Sequence, residues 1–238
     1  MTTSHSAFPP ELTLYYSPKA CSLASHIALE ESGLPYKAVA IDIRAGANTR
    51  PEYLRLNPGG TVPALGVGDR IVTESHAILS YVSDLAIERR LLPRPGTMAR
   101  ASAHEWMNWI SSSMHAAYRS IFRPQAYAGE GSPSALEAVR EHGRRKLAGV
   151  LLDVERRLEA ATFALGPNFS SVDAYLFVFY LWSFDERIAA SLPDRPRYRA
   201  LAQRVWERPA VHTVVDRERA VRAYELPSDF ISSGEEVR

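Results

Sequence analysis

Leu12-Thr13-Leu14-Tyr15-Tyr16-Ser17-Pro18-Lys19-Ala20-Cys21-Ser22-Leu23 is the stretch on which the fold turns. Leu12 to Tyr16 reads as a strand, and Ser17-Pro18-Lys19-Ala20 breaks it. Leu23, Ile27 and Ala28 then recur at helical spacing until Gly33 supplies a C-terminal stop and Pro35 blocks continuation. The pattern predicts a strand, a turn and a helix. Outward from it, Tyr36 to Ile43 reads as a second strand and Pro51 to Leu56 as a short helical piece. Val62 to Val67 and Arg70 to Thr73 read as a hairpin around Gly68-Asp69. Ser75 to Leu85 closes the region as a helix with Ile78, Val82 and Leu85 on one face.

Beyond Leu85 the character changes. Arg89-Arg90-Leu91-Leu92-Pro93-Arg94-Pro95-Gly96 has the composition of a linker. After it the periodicity is helical: Ala103, Met107, Ile110 and Met114 share one face. Leu136, Val139, Leu147, Val150, Leu151, Val154 and Leu158 share another. Ala174 to Trp182 is apolar all round, as a helix buried within a bundle would be. Ser170 and Asp173 have the spacing of a capping box, with Phe169 ahead of them as a staple residue. The expected layout is an α/β N-terminal domain over 12–88, a linker over 89–98 and an all-α domain over 99–225. A flexible extension (1–11) and a tail (226–238) flank them.

Composition removes several classes of function. With 238 residues, 46% hydrophobic and 23% charged, the chain is an ordinary globular one, long enough for two small domains. Its 28 basic and 27 acidic residues leave a net charge of +1, so no long-range field draws it to nucleic acid or an anionic membrane. The longest apolar run, Ala174 to Trp182, is about half of what spanning a bilayer requires. Met1 to Glu11 lacks the basic and apolar regions of a signal peptide, so a cytoplasmic location is expected. No phosphate-binding glycine loop and no His-Glu-x-x-His is present, and no metal is expected.

The single cysteine, Cys21, excludes a disulfide framework and a Cys-rich metal site within one chain. It is either a buried filler or a reactive thiol. Its place at the edge of the first helix, two residues after Lys19, favours a thiolate through backbone N–H groups and the helix dipole. On the first helix past the linker, Asn108, Ser112 and His115 fall at i, i+4 and i+7, which predicts a polar stripe opposite Trp106, Met107 and Ile110.

Three strings carry a resemblance: Tyr15 to Leu23; Asn57-Pro58-Gly59-Gly60-Thr61-Val62-Pro63-Ala64-Leu65; and Thr73-Glu74-Ser75-His76-Ala77-Ile78. In this order, and followed by Ser170-Ser171-Val172-Asp173-Ala174-Tyr175, they resemble bacterial glutathione S-transferases of the beta class. The resemblance runs from Leu12 to about Tyr224. It implies a thioredoxin-like N-terminal domain, an all-α C-terminal domain, a homodimer, and glutathione as co-substrate of a small electrophile. It implies that Cys21 contacts the glutathione sulfur and that Val62, before a cis-Pro63, leaves its N–H and C=O free to pair with the cysteinyl part. It further implies that Glu74 and Ser75 hold the γ-glutamyl end, and that Asn108 and His115 lie around glutathione, with Ser112 between them on the stripe. His115, titrating near neutral pH, would exchange a proton with the sulfur.

Other classes of the superfamily activate glutathione with a hydroxyl at the end of the first strand, which here brings in Tyr16 and Ser17, ranked below Cys21. The beta-class Lys that binds the glycine carboxylate is missing from Asp42 to Arg50, where Arg44 and Arg50 are the candidate substitutes. Tyr118, Phe122, Tyr175 and Trp182 are candidates for an electrophile pocket. Two rival functions remain at this point. One is a glutathione-dependent thiol-disulfide oxidoreductase running through a Cys21 mixed disulfide. The other is a non-catalytic glutathione-binding or scaffold protein.

Overall fold

The structure is a computed structural model that describes residues 10–159, 161–188, 192–227 and 230. The expected extension therefore lies outside the described residues except for 10 and 11, and the tail except for 226, 227 and 230. The N-terminal part is a four-stranded sheet, β1 (Leu12–Tyr16), β2 (Tyr36–Ala40), β3 (Ala64–Val67) and β4 (Arg70–Thr73), in the order β2-β1-β3-β4. β1 runs parallel to β2 (Leu14 opposite Ala38) and antiparallel to β3 (Leu14 opposite Leu65), and β3 is antiparallel to β4. α1 (Leu23–Ser32) supplies the crossover between β1 and β2, and α2 (Pro51–Leu56) and α3 (Ser75–Leu85) complete this domain. Leu12, Leu14 and Tyr16 alternate into the core, as the period of a strand requires.

β2 ends at Ala40, earlier than the sequence suggests. Asp42 Oδ1 accepts from the N–H groups of Arg44 and Ala45 at 3.0 and 3.1 Å, a local turn that draws the chain off the sheet. α1 is not the one-sided helix its spacing predicts, because eight of its ten residues are buried. α3, α8 (Ser171–Trp182) and α10 (Pro209–Val221) all pack on it, so the second domain covers the face that water would otherwise wet.

The helical part comprises α4 (Met98–Trp109), α5 (His115–Phe122), α6 (Gln125–Ala128), α7 (Pro133–Arg157), α8, α9 (Pro196–Trp206) and α10. α8 is buried from Ser171 to Leu181 and is the axis of the bundle. Its capping box forms: Asp173 accepts from the Ser170 N–H and hydroxyl, both at 2.7 Å, and from the Ala164 N–H. α4 and α5 form one continuous helix interrupted by a π-helical turn over Ile110–Met114. Among the described residues no helix is long and apolar enough to cross a membrane.

Candidate active site

The β1–α1 turn is built by reciprocal serine bonds: Ser22 Oγ accepts from the Ser17 N–H at 3.1 Å and donates to the Ser17 carbonyl at 3.2 Å. Lys19, inside the turn, takes the left-handed conformation (φ 61°), a strained state for a residue with a Cβ. The helical domain holds that peptide from both sides. Glu218 Oε2 of α10 accepts from the Lys19 N–H at 3.0 Å, and Trp182 Nε1 of α8 donates to the Lys19 carbonyl at 2.8 Å. The other oxygen of Glu218 lies 2.9 Å from His26 Nδ1 in α1, both side chains being fully buried.

Cys21 emerges from this turn one residue before Ser22, the N-cap of α1. Its thiol donates to the Val62 carbonyl at 3.3 Å, immediately before the cis Val62–Pro63 bond. Ser75, the first residue of α3, lies beside the thiol and favours its charged form against burial, and Tyr175 of α8 lies beside Ser75 in turn. Three distant segments thus converge on one sulfur. Glu74 caps α3 with φ 72° and is exposed.

The thiolate expectation is corrected. Burial pushes the Cys21 thiol up to about 11; the Ser75 hydroxyl and the N–H groups of Cys21 and Ser22 oppose this but lose. The N–H groups of the helix start are already engaged, Leu23 with the Ala20 carbonyl and Ala24 with that of Cys21, so little of the helix dipole is left for the sulfur. Nor is the Val62 carbonyl free, since the thiol occupies it.

The polar stripe is also corrected. A π turn inserts about one residue and rotates the helix beyond it by about 100°, so Asn108 and His115 leave the common face. Asn108 and Ser112 are exposed, whereas His115 turns inward onto Phe179 and Trp182, with ring centroids 5.4 Å away in each case. Burial, with Arg119 adding to it, lowers the imidazole to about 4, so the expected proton exchange near neutral pH does not hold.

Of the four pocket candidates, Tyr118 and Tyr175 are core residues with 0% and 1% exposure. The Tyr118 hydroxyl donates to the Phe179 carbonyl at 2.8 Å. Phe122 and Trp182 are half-buried, 5.6 Å apart, with the Arg187 guanidinium over Phe122. Residues on facing helices at helical spacing meet each other before they meet a cavity. Tyr16 is likewise internal: its ring packs at a 51° tilt against His26 with centroids 4.7 Å apart, and burial together with Glu218 raises its hydroxyl. Ser17 is fully buried in the turn. Arg50 caps α2, while the charge of Arg44 is felt at Lys19 and Arg222. Sequence reading missed His26 and Glu218, whose relation to the turn is set only by long-range packing, and Phe179, which packs on His115.

Residues 10–84 match the glutathione S-transferase N-terminal domain and residues 110–209 the C-terminal domain. The chain is 32% identical over 209 residues to glutathione S-transferase GstA of Escherichia coli O157:H7, covering 87% of this chain and 98% of that one. A glutathione transferase homologue from Sulfitobacter, solved with bound glutathione, superposes with a TM-score of 0.79 at 33% identity, covering 87% of this chain and 98% of that chain. A bacterial beta-class glutathione S-transferase of Sphingomonas chungbukensis gives 0.73 at 32% identity with the same coverage. Fold, motifs and matched domains together place this chain in the glutathione S-transferase family.

Proposed function

We propose that this protein is a glutathione transferase that joins the sulfur of glutathione to the electrophilic carbon of a small, largely apolar molecule. The observation that carries the reading is the convergence of Cys21, Val62 and Ser75 on one point beside the helical domain. In the reaction the glutathione thiol gives its proton to solvent, the sulfur attacks carbon, a C–S bond forms, and the leaving group departs with its bonding pair.

Each residue has a physical role in this scheme. A protonated Cys21, its S–H turned from the Val62 carbonyl to the ligand, is a donor that favours the anionic form of a ligand sulfur placed beside it. The Val62 backbone, its carbonyl released by that thiol, pairs with the cysteinyl part as an added strand would. The N-terminus of α3, an eleven-residue helix, and Ser75 suit the γ-glutamyl carboxylate, with Glu74 near the ligand's amino group. Asn108 and Ser112 contribute from the exposed side of the long helix. His115, neutral at working pH, and the half-buried Phe122 and Trp182 form the apolar side on which the electrophile rests. The resemblance also points to a homodimer.

The protonation of Cys21 weighs against the oxidoreductase alternative. A thiol titrating near 11 is only about one part in ten thousand thiolate at pH 7, which leaves little nucleophile for a mixed disulfide. Calorimetric titration with glutathione tests the reading. The wild type should bind at or below millimolar concentration, and Ser75→Ala should weaken binding about tenfold, as loss of a hydrogen bond to a charged group does. No binding by the wild type at that concentration defeats the proposal.

A further inference from the structure

α3 and α4 face each other across a ladder of polar side chains. α3 contributes His76 and Asp84, and α4 contributes Arg100, His104 and Asn108 at i, i+4 and i+8, each set along one side of its helix. Arg100 Nη2 donates to the two oxygens of Asp84 at 2.8 and 2.7 Å, and Nη1 to the Pro93 carbonyl at 2.7 Å. Arg100 Nε donates to His104 Nε2 at 3.2 Å. His104 Nδ1 lies 2.6 Å from His76 Nε2, and His76 Nδ1 lies 2.9 Å from Asn108 Oδ1.

The donor inventory gives this chain one direction. A guanidinium only donates, so His104 Nε2 carries a lone pair and the proton of that ring is on Nδ1. That proton is donated to His76 Nε2, which leaves the His76 proton on Nδ1, donated to Asn108 Oδ1. Both imidazoles are therefore neutral, and a proton added to either Nε2 would set donor against donor. Burial, the His76 ring and Arg100 hold His104 below the usual imidazole range, and Asp84 opposes them. These are the charged groups facing the pair from α3 and α4. At the end of the chain the oxygen of the exposed Asn108 carboxamide is tied inward, and its two N–H bonds are left to the outside, next to the start of α3.

We propose that His76 and His104 are positioning residues that fix Asn108, the residue the family resemblance already puts beside glutathione, as a donor-only group toward a carboxylate of that ligand. This rests on the glutathione-binding function proposed above. A carboxamide free to flip would turn its oxygen toward the carboxylate in part of the population. The locked one presents only N–H groups.

The test is calorimetric titration of the full chain with glutathione at pH 7.5. His76→Leu, which no longer ties the Asn108 oxygen, should bind about fivefold more weakly. In the double variant His76→Gln with His104→Gln, the amides keep the same order of donors and acceptors. It should retain near wild-type affinity, a rescue that a merely structural role would not give, and it carries the test if the Leu variant does not fold. Wild-type affinity in His76→Leu, or a double variant weakened about fivefold, overturns the proposal. These results leave glutathione binding standing, whereas a wild type that does not bind glutathione overturns both.

Discussion

At Cys21 two opposed effects meet, and their balance decides what the thiol does. Backbone donors at a helix start lower a thiol's pKa, and removal from water raises it. Here the sulfur is covered by the Val62 backbone and the Ser75 side chain, and desolvation wins, pushing the thiol up to about 11. The alkylation rate of the free enzyme by iodoacetamide should therefore rise about tenfold per pH unit from 7 to 9 with no plateau. A plateau near neutral pH would show that the thiol is lowered instead. The linkage has the sign of a raised acid: stability from the protonated thiol is complete below pH 9.0, the ordinary value, and is lost as pH rises through the folded value. Sequence located this cysteine at the strand-to-helix turn, because Pro18, Ser22 and the spacing of Leu23 and Ile27 are local signals. Its burial was not legible, since Val62, Ser75 and Tyr175 arrive from distant parts of the chain.

At the scale of elements, local signals sufficed wherever a helix or turn is punctuated by its own residues. The strand Arg70–Thr73, α3 from Ser75 to Leu85 and the capping box at Ser170 read correctly for that reason, while the partner strand starts at Ala64 rather than Val62, after the cis Val62–Pro63 bond. The π turn at Ile110–Met114 has no such punctuation, and it moved His115 off the Asn108 face into the aromatic cluster. α1 read as half-exposed because nothing in its own residues shows that α8 and α10 cover it. The contact between α5 and α7 is another long-range fact with a measurable consequence. A Cβ on Gly143 would lie 2.2 Å from Ser120 Oγ and 2.9 Å from Ile121 Cγ1. Gly143→Ala gains about 1 kcal/mol of helix propensity, but overpacking costs about 1–3 kcal/mol. The expected result is a net loss of about 1 kcal/mol, read as a Tm lower by about 2–4 °C. An unchanged or higher Tm would mean that α5 and α7 are less closely packed.

At the scale of the whole molecule, the helical domain does more than cover the first one. Glu218 and Trp182 grip the N–H and C=O of Lys19, and Glu218 also takes His26, so the turn that carries Cys21 is held in a strained shape by residues 199 and 163 positions away. Burial raises the Glu218 carboxyl, while His26, the Lys19 N–H and Arg222 stabilise its charge. Tyr175 reaches across the same boundary to Ser75. The catalytic geometry is thus a property of the joined domains. In the proposed reaction the sulfur of glutathione, and not that of Cys21, is the nucleophile. The most direct test is kcat/KM for glutathione conjugation of an activated aryl chloride by the wild type and by Cys21→Ala. The wild type should conjugate at a measurable rate that falls by no more than about tenfold in the variant, since only one donor to the sulfur is lost. A wild type without conjugating activity, or a variant whose activity is abolished while it still folds, would contradict it.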